Sequence, residues 1–195
     1  MAARIEHSHL KELFEESYDD VRKQIKTGDL LFASGEYGIS HAIRSMTQSP
    51  WSHVGYLVVL KELDRVLVME SVKGYGVRVM PLSNYLERYD SKGPYEGILV
   101  VAKFRQPANF SLLNAVNWGL EQIPSSYDTD NLPRGALKIV SGEGRREDDF
   151  EWDCSEYVGA ILERGNYRAP YDPRGFISPE SIWNDDGMEF LARIM

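Results

Sequence analysis

Apolar residues fall into two rhythms along this chain. From 8 to 26, Leu10, Leu13, Phe14, Tyr18, Val21 and Ile25 recur at helical spacing, and Gly28 offers a stop, which predicts one amphipathic helix. Shorter apolar runs between polar breaks predict strands over 30–33, 52–60, 65–71, 77–80, 97–104 and 189–194. The break at 61–64 reads as a four-residue hairpin loop, and Lys73-Gly74-Tyr75-Gly76 as a turn. Helical spacing returns at 109–123, where Pro124 ends it, and again from Cys154 through Val158, Ile161 and Leu162 to Gly165. Short helices are expected from Ser40, as cap, through Met46 and over 81–89. Strands and helices without repeats or a dividing linker predict one α+β domain, which suits 195 residues.

Charge narrows the class. The formal net charge is −8, and Arg145-Arg146 is followed at once by Glu147, Asp148 and Asp149. Nucleic-acid binding draws on clustered cations, so no nucleic-acid partner is expected. No run approaches the ~18 apolar residues of a membrane span, and the first residues lack the apolar core of a secretory signal. A cytoplasmic location is the expectation, although a chain trimmed of its leader would read the same. The single cysteine excludes an intramolecular disulfide and any multi-cysteine zinc site.

That cysteine is the first chemical candidate. Cys154 stands where a polar stretch turns into a helix, in Trp152-Asp153-Cys154-Ser155-Glu156-Tyr157. Unpaired N–H groups and the positive end of the helix dipole favour a thiolate there, and the same N–H groups suit an oxyanion. Asp153 opposes a thiolate unless its oxygens face those N–H groups as the N-cap. The competing role is that of a small buried hydrophobe, the usual fate of a free cysteine.

His53 and Glu70 follow from strand parity. With a four-residue loop, Leu60 pairs with Arg65, Gly55 with Glu70 and His53 with Val72. His53 and Glu70 then project from one face as diagonal neighbours, with Gly55 leaving room for the carboxylate; a loop one residue longer or shorter separates them. Glu70 interrupts an apolar strand and needs a partner, either His53 or a cation such as Arg78. Cys154, His53 and Glu70 would supply a nucleophile, a base and a group that fixes the base's tautomer. Spacing alone does not bring Cys154 to His53.

The blocks Gly28-Asp29-Leu30-Leu31-Phe32, Ser52-His53-Val54-Gly55-Tyr56, Glu70-Ser71 and Asp153-Cys154-Ser155-Glu156-Tyr157-Val158 resemble the permuted branch of the NlpC/P60 papain-like superfamily, and within it the YiiX/YebB-like group. Poxvirus and lecithin:retinol acyltransferase relatives stand further off. The resemblance implies a circularly permuted papain-like fold, with a small antiparallel sheet and the nucleophile helix packed on it. It assigns the nucleophile to Cys154, the base to His53 and the third polar residue to Glu70. Tyr127 resembles an aromatic often placed beside the substrate pocket, and Ser52 and Ser155 are further substrate-side candidates. It implies a catalytic domain over 28–195, preceded by a helical extension over 1–27.

The function expected is a cysteine-dependent hydrolase of amide bonds, acting on a peptide or amino-acid-containing substrate through a thioacyl-enzyme. The alternatives are a lipid amide or thioester hydrolase or acyltransferase, and a non-catalytic binding module with the same cleft. No cofactor or metal is expected, since His7 and His9 lack companions at zinc-type spacing. Gly142-Glu143-Gly144 does not lead a strand into a helix, so it is no dinucleotide fingerprint and fits a loop over the cleft better. His41 falls to a helix start.

Overall fold

The computed structural model describes residues 7–126, 153–173 and 175–195. Its frame is one antiparallel sheet of six strands: β1 (Leu30–Gly35), β2 (His53–Leu60), β3 (Arg65–Val72), β4 (Gly76–Pro81), β5 (Gly97–Phe104) and β6 (Met188–Arg193). They lie side by side in the order β4-β3-β2-β1-β5-β6. Alternation along the strands divides the core in two. Leu30, Phe32, Val54, Tyr56, Met69, Val100 and Ala102 face one side. Leu31, Ala33, Leu57, Val66, Val68, Leu99 and Val101 face the other. A period of two leaves both faces apolar, so both must be covered.

Three helices cover the first face: α5 (Leu112–Glu121), α6 (Cys154–Arg164) and α7 (Pro179–Trp183). Helix α6 packs on β2 and β3 and against α5, where the Tyr157 hydroxyl donates to the Gly119 carbonyl at 2.8 Å. The second face is closed by α2 (Tyr18–Val21), α4 (Ser83–Glu87) and the segment carrying Tyr95, through Val21, Ile25, Leu82, Tyr85 and Tyr95. Helix α3 (Gly38–Thr47) links β1 to β2.

The helix expected over 8–26 is broken. It is replaced by α1 (His7–Glu12) and α2, and between them the chain runs beside β6, with Glu15 bridged to Arg193 and the Glu16 N–H donating to the Arg193 carbonyl at 2.8 Å. The Arg193 guanidinium donates to the carbonyls of Lys11 (3.1 Å) and Leu13 (3.0 Å), oxygens that a continuing helix would have spent on its own N–H groups. Phe14, counted as part of the apolar stripe, is 83% exposed. The segment passes the β6 edge instead, burying Leu10 on the first face and Val21 and Ile25 on the second. Helix α3 likewise starts before Ser40, behind Tyr37, which makes no side-chain cap.

Candidate active site

The β2–β3 hairpin has the register the loop length demands: Leu60 pairs with Arg65 and Tyr56 with Met69. His53 and Glu70 therefore share a face, and His53 Nε2 lies 2.7 Å from Glu70 Oε2. Gly55 supplies the space. A Cβ there would stand 2.6 Å from Val68 Cγ1 and 3.7 Å from Glu70 Cβ.

Glu70 is wholly buried, and three donors make that tolerable. Besides His53, Arg78 Nε donates to Oε1 at 2.8 Å and the Tyr85 hydroxyl donates to Oε2. The two partners weighed for Glu70 from sequence, His53 and Arg78, thus both hold it. Arg78 sits directly opposite Glu70 in the β3–β4 register. Burial pushes the Glu70 carboxyl up, but His53, Arg78 and Tyr85 outweigh it and hold it below the usual carboxylate range. Tyr85 escaped sequence reading because its hydroxyl reaches the site from the helix after β4. The only hint is the run Tyr85, Tyr89, Tyr95, whose rings pack on one another.

Cys154 arrives from the other face. It is the first residue of α6, capped as its sequence suggests: Asp153 Oδ1 accepts from the N–H groups of Ser155 (2.7 Å) and Glu156 (2.8 Å), and Glu156 closes the capping box. The Asp153 carboxylate is thus occupied with the helix end, which reduces its opposition to a thiolate beside it. Of the first-turn amides, that of Cys154 has no acceptor among the described residues.

The two halves meet where β2 begins and β3 ends. The Cys154 side chain interacts directly with the His53 imidazole. Since Nε2 faces Glu70, Nδ1 is the ring nitrogen left for the sulfur. Burial alone would lower the His53 pKa. The Cys154 thiolate and the Glu70 carboxylate reverse that and push it up to about 10. Cys154 and His53 open into a cleft of about 240 Å³ walled by Tyr37, Ile43, Tyr89 and Tyr95, with Lys73 and Asp90 also on its lining.

The remaining sequence candidates divide. Ser52 lines the cleft, although its hydroxyl is engaged with the backbone of Ala33 and Gly35. Ser155 is buried with its hydroxyl donating to Asp153 at 2.9 Å, and it does not line the cleft. Tyr127 and the Gly142–Asp149 stretch lie outside the described residues. Among the described residues no three His, Cys, Asp or Glu side chains are grouped to hold a metal ion, and no helix is long and apolar enough to cross a membrane.

Comparison with known proteins bears on the family and the fold. Residues 24–132 match the model of a family described as "Permuted papain-like amidase enzyme, YaeF/YiiX, C92 family". That stretch includes His53 and Glu70, and Cys154 lies beyond it. Among solved structures, the chain is similar in fold to one titled "metalloprotein yiiX from Escherichia coli O157:H7", with 18% identity and a TM-score of 0.62, covering 87% of this chain and 98% of that one. No curated protein sequence matches the chain.

Proposed function

Because the chain belongs to the permuted papain-like amidase family of YaeF and YiiX, we propose that it is a cysteine hydrolase of amide bonds in which Cys154 is the nucleophile, His53 the base and Glu70 the group that orients the base. The observation carrying this reading is the convergence of a helix-capped sulfur and a carboxylate-held imidazole on one cleft.

The chemistry follows from the atoms. The ionised Glu70 carboxylate only accepts, so Nε2 of His53 donates to it, and Nδ1, facing the sulfur, carries the second proton of an imidazole that stays charged up to about pH 10. That second proton has come from Sγ–H, and the thiolate attacks the substrate carbonyl carbon. The resulting oxyanion takes the Cys154 N–H. When the intermediate collapses, the C–N bond breaks and Nδ1–H protonates the departing amine, leaving a thioester on Sγ. Water, deprotonated by Nδ1, attacks that thioester; the acid leaves, Nδ1 keeps the proton and the thiolate is restored. The Escherichia coli relative is titled a metalloprotein. Among the described residues no three His, Cys, Asp or Glu side chains group around His53 to hold a metal ion.

The small cleft, walled by tyrosines and isoleucine, suits a compact acyl group. That apolar wall also favours a second reading, acyl transfer to an amine or alcohol, for which product would form only when an acceptor is supplied. The test is a panel of aminoacyl, peptidyl and fatty-acyl amides and matching electrophilic probes, applied to wild type and Cys154→Ala. Hydrolysis and labelling by wild type alone support the proposal. Equal turnover by the two proteins overturns it.

A further inference from the structure

We propose that Arg78 is a positioning residue that sets the charge balance of the site, so that the Cys154 thiolate and the His53 imidazolium can stand together beside the buried Glu70 carboxylate. This rests on the reading of Cys154, His53 and Glu70 as one catalytic unit.

The geometry is that of a built-in counter-ion. Arg78 stands opposite Glu70 across the β3–β4 ladder, its Nε 2.8 Å from the oxygen that His53 does not use. A second nitrogen donates to Asp90 at 3.3 Å, and the guanidinium carbon lies 4.6 Å from the Tyr75 ring centre and 5.5 Å from that of Tyr89. Aromatic faces and two carboxylates fix one orientation, which a planar, permanently charged fork exploits better than an ammonium.

The consequence is a matter of counting charges. With sulfur ionised and imidazole charged, the Cys154, His53, Glu70 and Arg78 charges sum to zero. The proton can then pass from sulfur to imidazole without leaving the site short of a cation. Without Arg78, the same ion pair beside a fully buried carboxylate would leave one uncompensated negative charge, and a proton would stay on Cys154 or settle on Glu70. In the first case His53 never receives the sulfur's proton and no nucleophile forms. In the second, the group that fixes its tautomer is lost.

The other groups facing the pair do not replace Arg78. Cys154, from α6, adds negative charge when ionised. Tyr85, on α4, and Tyr89, after it, are driven further from ionisation by burial and by Glu70, so they remain neutral. Asp90 is an anion tied to Arg78 itself. Lys73, on the cleft lining, makes no ion pair with Glu70, which is sealed from solvent.

The experiment reads alkylation of the single cysteine by iodoacetamide, followed by intact mass, from pH 5 to 10 in wild type, His53→Ala, Arg78→Met, Arg78→Lys and the double variant Glu70→Gln/Arg78→Met. The folded state of each is checked by circular dichroism. The expected result is that Arg78→Met slows alkylation at neutral pH at least about tenfold by moving its pH midpoint up a unit or more. Arg78→Lys should restore most of the rate. The double variant should return toward the wild-type midpoint, because no uncompensated carboxylate remains. Should Arg78→Met not fold, the lysine and double variants decide. A folded lysine variant as slow as tenfold below wild type, or a double variant that does not recover, overturns the charge-balance role. A wild-type profile in folded Arg78→Met does so directly. If His53→Ala also keeps the wild-type profile, the catalytic reading fails; if it shifts while Arg78→Met does not, only the Arg78 assignment fails.

Discussion

His53 and Glu70 meet 2.7 Å apart across neighbouring strands, and only 17 residues of chain separate them. The loop at 61–64 sets that encounter by parity, and Gly55 makes room for it. The imidazole and the carboxylate belong to one hairpin and the sulfur to a late helix, so the pair and the thiol can be perturbed separately.

The pair makes stability depend on pH at both ends. His53 has a pKa raised from 6.5 to about 10, so its contribution is complete below pH 6.5 and drains away as pH climbs toward 10. Glu70 has a lowered pKa, so its contribution is complete above pH 4.5 and is lost as acid protonates it below that. Denaturant midpoints measured from pH 3 to 10 should fall at both extremes, and His53→Gln should flatten the alkaline limb. In Cys154→Ala, the His53 resonance should titrate at lower pH than in wild type.

The cap on α6 should be measurable on its own. Asp153→Ala removes the acceptor of two first-turn N–H groups, at a cost of about 1 kcal/mol. For a chain of this size that is a fall of roughly 2–4 °C in Tm. Asp153→Asn, which retains an acceptor oxygen, should recover most of it.

Arg193 ties the N-terminal segment to the sheet. Arg193→Ala gives up bonds to Lys11, Leu13 and Met195, so a loss of about 1–3 kcal/mol is expected. Limited proteolysis should then cut within residues 13–17 faster than in wild type, with the β2–β3 hairpin still protected.

Gly76 begins β4 at φ +71°, and a Cβ there would stand 2.2 Å from the Ser125 carbonyl oxygen. Gly76→Ala should cost ~1–3 kcal/mol, since backbone must shift to admit the methyl. The same shift would disturb the Val77 N–H bond to Ser125. Thermal melts of the variant beside Gly74→Ala separate the two effects. Gly74 also has positive φ, but a Cβ there meets nothing within 4 Å.

What the sequence revealed depended on how local each signal was. The His53–Glu70 alignment was legible because loop parity and alternation are rules of adjacent strands. The Asp153 cap was legible because a capping box spans four residues. The permuted papain-like α+β fold was legible through short blocks around those residues. The break in the first helix was not, because its cause is Arg193, at the opposite end of the chain. The Tyr85 hydroxyl was hidden for the same kind of reason: no periodicity reports where a helix after β4 aims a phenol. The approach of Cys154 to His53 came only from resemblance, since spacing carries no information about contacts closed late.

The order of these elements has a further consequence for the newly made protein. A ribosome releases the β2–β3 hairpin, with its imidazole and supporting carboxylate, well before α6 leaves the exit tunnel. Of the three residues proposed to act together, Cys154 is synthesised last, and it joins the other two by long-range docking onto the sheet. Chains that stop short of residue 154 would therefore carry the His53–Glu70 pair without the proposed nucleophile.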